Sequence, residues 1–158
     1  MPQENKHTKS FAIVFWILTA MCMGAIFYFS SQPATQSAGQ SSVVTLFLQK
    51  LFHTEAITEH MVRKAAHFTE FTGLGFLTNS AVYFTKHKRN LAIGIAIGSA
   101  YAATDEIHQI FVDGRSCQFT DWALDTLGVI TGALIFLILY LIIRKIIEHK
   151  NDKRFKEI

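Results

Sequence analysis

Charge is what this chain has least of. Charged residues fill 17% of its 158 positions, against about 25% in an average soluble protein, which excludes a highly charged soluble enzyme domain. Cysteine is scarce too, and two in so long a chain (Cys22 and Cys117) cannot make a disulfide scaffold. Only two prolines and nine glycines argue against low-complexity disorder. The length leaves no room for a second domain, so residues 1–158 read as one unit. A net charge of +3 is modest for a nucleic-acid binder. No nucleic-acid motif, nucleophilic triad, phosphate-binding glycine loop or internal repeat is visible. What the chain has instead is apolar surface: half of it is hydrophobic, with a mean hydropathy of +0.26.

That apolar content falls into four stretches, at about 11–30, 65–84, 91–111 and 122–143. The first holds no charge and is long enough, at 1.5 Å per residue, to cross a hydrocarbon core. It exceeds the apolar run of a cleaved signal peptide, so an uncleaved helix is expected. The fourth is apolar apart from Asp125 and two threonines, until Arg144 and Lys145 stop it. The middle two carry charges, but they lie between two clear spans and meet at a short basic turn, Lys86-His87-Lys88-Arg89. The expected fold is all-α, a bundle of four transmembrane helices. A short amphipathic helix is expected in the first outer loop, where Val44, Phe47, Leu48, Leu51 and Phe52 recur at helical spacing.

Orientation follows from the basic residues. Eleven fall on the N-terminus, the 85–90 turn and the tail at 144–158; four (Lys50, Arg63, Lys64, Arg115) fall on the other two loops. The positive-inside rule therefore places both termini in the cytoplasm. Tyr28 and Trp122 then sit near the outer interface, with Tyr83 and Tyr140 near the inner one.

With that topology the ionisable residues gather at one level. Arg63, Lys64, His67 and Glu70 occupy the first turns of the second helix. Tyr101, Asp105, Glu106, His108 and Gln109 occupy the last turns of the third. Asp121 and Asp125 open the fourth, and Arg115 lies in the loop before it. All fall within about 10 Å of the outer surface by helical rise. Charges in a span cost about 2.5–3.5 kcal/mol each at its centre, so the set reads as a polar site, although any single member could be a cap or a structural pair. Five acids against Arg63, Lys64 and Arg115 suit a protonated carboxyl, a cation or a cationic ligand, and the three basic groups suit a phosphate equally well. No metal-ligand spacing of the HExxH or cysteine type is present, and no metal or cofactor is expected. Gly94/Gly98 and Gly128/Gly132 permit close helix contact, the second pair continuing the Asp121/Asp125 face.

Three ordered blocks carry a resemblance: Ser30-Ser31-Gln32-Pro33, the run RKAAHFTEF at 63–71, and DEIHQIFVDGR at 105–115, followed by Asp121 and the Gly128/Gly132 helix. Over about 12–136 the chain resembles the VanZ-like family of bacterial membrane proteins. Asp125 stands where that family often has Asn, and Phe71 where Tyr is common. The resemblance implies a multi-pass protein of the bacterial cell membrane that contributes to resistance against glycopeptides of the teicoplanin type. Its polar cluster would engage the antibiotic, a lipid-linked wall precursor or a lipid headgroup. The alternative is a membrane enzyme, a hydrolase or transferase acting on such a headgroup, with Glu70 or His108 as general base. Membrane lipid is the expected partner and nucleic acid is not. A homodimer would be needed for a transport path through so few helices.

Overall fold

In a computed structural model, residues 6–156 are described. They form five helices: α1 (Lys6–Ser30), α2 (Ala34–Phe52), α3 (Glu59–Lys86), α4 (Leu91–Gln109) and α5 (Phe119–Lys156). The extreme termini expected in the cytoplasm, residues 1–5 and 157–158, lie outside the described ones. No strand occurs among the described residues, so the chain is all-α.

The boundaries have local causes. Thr58 accepts from the Met61 N–H to open α3, and Asn90 accepts from the Ile93 N–H to open α4. His53 and His87 take left-handed backbone (φ 50° and 52°) to close α2 and α3. Pro33 separates α1 from α2, and its carbonyl accepts from the N–H groups of Gln36 and Ser37.

Two expectations change. The amphipathic helix is not confined to the residues after Ser42 but begins at Ala34, running through the Ser/Gln/Thr stretch. The Ala34 N–H donates to the Asp113 carbonyl across the fold, a tertiary tie that local propensity does not contain. The apolar stripe of α2 also stays outside: Val44, Phe47, Leu51 and Phe52 are exposed, whereas Thr45 is buried. The basic tail is likewise no separate segment. It continues α5 through Lys156, giving a helix about 57 Å long at 1.5 Å per residue, with Arg144 paired to Glu148 on its surface.

Two helices, over Thr8–Ser30 and Phe119–Lys153, are long and apolar enough to cross a membrane. The polar ends of α3 and α4 keep those two below that apolarity. α4 instead turns its polar residues inward, where Asp105, Glu106 and Gln109 are all buried, and α3 buries Thr78, Asn79 and Ser80.

α3 is the centre, packed against all four other helices. Its Phe71 and Leu74 form the core with Ile26, Ala102 and Val129. At one end of the bundle Phe11 and Phe15 stack on Phe84 (5.4 and 5.3 Å between ring centres), Tyr83 meets Tyr140, and Arg89 lies 4.8 Å over the Tyr140 ring. The end of α1 and the starts of α2, α3 and α5 meet the end of α4 at the other, where the ionisable residues lie.

Candidate functional site

At that end polar side chains tie the termini of α1, α3, α4 and α5. Ser30, the last residue of α1, donates to Asp105 Oδ2 at 2.8 Å, and the same oxygen accepts from Gln109 Nε2 at 3.0 Å. Glu106 Oε2 accepts from the Gln118 N–H at 2.9 Å, just before α5 begins. A carboxylate there satisfies an orphan donor and suits the positive end of the helix dipole. Lys64 Nζ reaches Asp121 Oδ1 at 2.7 Å and so joins α3 to α5. Arg115 donates to the carbonyls of Gln32 (3.0 Å) and Phe29 (3.2 Å), covering the C-terminus of α1.

Between these ties lies a cavity of about 180 Å³. Eight of the twelve residues expected at the site line it: Arg63, Lys64, His67, Glu106, Gln109, Arg115, Asp121 and Asp125. The other four lie elsewhere. Asp105 is buried on the α1 side in its bonds to Ser30 and Gln109. Glu70 lines two adjoining cavities. The Tyr101 hydroxyl donates to the Met23 carbonyl at 2.6 Å. His108 lies against the Phe27 ring, 4.4 Å between centres. The last two therefore hold α4 to α1 instead of facing the cavity.

Three residues that sequence reasoning did not assign to the site belong here. His60 lines the cavity and stands one helical turn before Arg63 and Lys64, a spacing that could have revealed it. Gln118 also lines it. Ser30 was legible only as part of a block of resemblance, and its bond to Asp105 spans 75 residues of sequence.

The wall carries both signs. His60, Arg63, Lys64, His67 and Arg115 share it with Glu106, Asp121 and Asp125. Asp125 is only 1% exposed, and its Oδ2 has no hydrogen-bond partner among the described residues. An unpartnered buried oxygen on a cavity wall is costly, about 1–3 kcal/mol, unless something in the cavity meets it. Burial holds the Arg115 guanidinium below its ordinary value and the Arg63 charge acts the same way, while Asp105, Glu106 and Glu70 oppose both. Arg115 stays charged regardless.

This architecture defines an all-α chain with two membrane-length helices and a small polar cavity at one end of the bundle. Residues 15–140 match the VanZ/LLP1 family, and the chain belongs to that family. No match is found among curated proteins or among solved structures. The three blocks of resemblance all lie within the matched residues and come together at the cavity end: Ser30 bonds Asp105, and Arg63, His67, Glu106 and Arg115 share the cavity wall.

Proposed function

We propose that this is a four-span protein of the bacterial cell membrane whose cavity binds the phosphate of a lipid headgroup or lipid-linked wall precursor, and that it thereby contributes to glycopeptide resistance of the teicoplanin type. α1, α3, α4 and α5 would be the spans, with both termini in the cytoplasm. The inward burial of Asp105, Glu106 and Gln109 supports α4 as a span, because intramembrane polar residues face the bundle interior. Topology has a direct test. A reporter active only outside the cytoplasm, fused after Lys88, is expected to be silent; activity there inverts the arrangement and moves the cavity to the cytoplasmic side.

The observation that carries the reading is the cavity's size together with its cations. About 180 Å³ is below the roughly 300–1,000 Å³ of drug-sized pockets, so it suits a phosphate-sized group and not a whole glycopeptide. Arg63, His67 and Arg115 offer the donors such a group needs. Arg63 provides the cleanest check. It meets the His60 ring at 3.2 Å in an exposed contact, so losing that contact should cost no more than about 1 kcal/mol. Arg63→Gln is therefore expected to insert and melt much as the wild type does. It should lower both tolerance to glycopeptide and binding of phosphate-headed lipid by tenfold or more. Unchanged tolerance and binding in a well-inserted Arg63→Gln protein removes the reading.

A second reading, a hydrolase or transferase acting on the same headgroup, draws on Asp125, whose Oδ2 is buried and unpartnered on the cavity wall. An unpartnered carboxyl on the wall of a polar cavity is suited to moving a proton. His108 no longer serves as the base, since it faces Phe27 and not the cavity. A labelled headgroup released by the purified protein in lipid would select this reading; saturable binding without product selects the first.

A further inference from the structure

The polar cavity is one end of a longer path. It shares Arg63, His67 and Arg115 with a second cavity of about 250 Å³ beneath α2. That one shares Val44, Val62, Ala66 and Glu70 with a third, open groove of about 730 Å³ between α1, α2 and α3. The character changes along the way. Charged groups dominate the first, the serines of α2 and Glu70 line the second, and the third is almost entirely apolar, ending at Gly73 and Cys22.

We infer that this path holds a monoacyl glycerophospholipid, its phosphate at Arg63, His67 and Arg115, its glycerol hydroxyl at Glu70 and its single chain in the groove beneath α2. The inference rests on the phosphate reading of the polar cavity and specifies the lipid. Charge decides the phosphate end, where two arginines and a histidine line both polar cavities. Glu70 decides the middle. It stands at the junction of polar cavity and apolar groove, where a lipid with one chain removed presents a hydroxyl in place of an ester. A carboxylate accepts from that hydroxyl but has nothing to accept from an ester. The groove decides the chain. It runs beside the polar cavities along α3, with Val44, Val62, Ala66 and Glu70 on the shared edge, so a chain attached beside Glu70 enters it sideways across that edge. One chain then lies in the groove, and a second would have to cross the same edge past the Glu70 carboxylate.

The test places the full chain in phosphatidylcholine nanodiscs with a lysophosphatidic acid carrying a diazirine near the end of its chain. After irradiation the labelled residues are read by mass spectrometry. Label is expected on groove residues such as Val44, Ala66 and Thr69. Gly73→Phe should lower it at least tenfold; Gly73 lines the groove, and a Cβ added there meets nothing within 4 Å, so the substitution starts into open groove and not into a neighbouring helix. Ala66→Phe, filling the groove from two turns earlier along α3, should do the same. Diacyl phosphatidic acid with the same photophore should label the groove at least tenfold less than the monoacyl lipid. Label confined to the outward faces of α1 and α5, or indifferent to both groove-filling variants, overturns the groove. Equal labelling by the diacyl lipid overturns the monoacyl assignment. Groove labelling unchanged by Arg63→Gln overturns the phosphate end, and with it the function proposed above, while leaving the chain-binding groove in place.

Discussion

Gly132→Ala is expected to prise α3 from α5 and to destabilise the protein by the upper end of the 1–3 kcal/mol typical of overpacking, or more. A Cβ on Gly132 would overlap the Thr72 carbonyl oxygen and lie 2.6 Å from the Phe76 nitrogen. One on Gly75, from the opposite side of the same contact, would overlap the Val129 carbonyl oxygen and lie 2.7 Å from Val129 Cα. These obstacles are backbone and cannot rotate away, so the helices themselves must move. Gly98 differs: its added carbon would meet the side chain of Val129 at 2.6 Å, which has some freedom to shift. Gly73→Ala meets nothing and should gain about 0.5–1 kcal/mol by removing a helix-interior glycine. Thermal unfolding of the purified protein is therefore expected to rank Gly73→Ala above wild type, then Gly98→Ala, with Gly75→Ala and Gly132→Ala lowest. A wild-type melting temperature for Gly132→Ala would mean that α3 and α5 do not approach this closely. The consequence reaches the cavity, because Asp125, Gly128 and Gly132 share one face of α5.

That shared face was legible in the sequence, since helical spacing alone places residues 125, 128 and 132 in line. So were the helix count in outline and the three sets of ionisable residues, because helix ends and apolar runs leave local marks. What local marks cannot contain is the identity of the neighbour. Tyr101, Asp105 and His108 share a stripe on α4, yet Tyr101 and His108 find α1 partners in the Met23 carbonyl and the Phe27 ring. Only Asp105 joins the polar network, through Ser30 and Gln109. A helical wheel cannot tell these cases apart. The early start of α2 was hidden for the same reason, since Ala34 is held by Asp113 from a loop some eighty residues away. The proposed four-span topology rests on different ground. α3 and α4 are too polar to declare themselves as spans, and their place in the membrane is inferred from what they bury.

Arg115→Ala is the second variant with a large expected effect, and it separates architecture from binding. The guanidinium serves two purposes. Two of its N–H groups cover carbonyls at the end of α1, and the residue also lines both polar cavities. Hydrogen bonds from a charged donor contribute about 1.5–3 kcal/mol, and the alanine variant leaves both carbonyls without this partner. A loss of about 2–3 kcal/mol is expected, read as a lower melting temperature. Phosphate-lipid binding should fall with it, even at temperatures where the variant is folded. Arg115→Lys distinguishes the two purposes. It keeps a positive charge at the cavity but loses the planar fork that spans the Phe29 and Gln32 carbonyls. Much of the stability loss should therefore remain while part of the lipid binding returns. If lysine restores stability in full, the fork on α1 is not what Arg115 contributes. If alanine lowers stability without touching binding, the cation serves the helix end alone, and the phosphate must be held by Arg63 and His67. The loop that carries Arg115 also bonds Ala34 through Asp113, and its Gly114 lies so close to the start of α2 that a Cβ there would stand 3.0 Å from Ala34 Cβ. Losing the arginine therefore loosens the corner from which α2 extends over the apolar groove. The same variant should widen the range of lipids the groove admits, and the contrast between monoacyl and diacyl labelling should shrink in Arg115→Ala before it shrinks in Arg115→Lys.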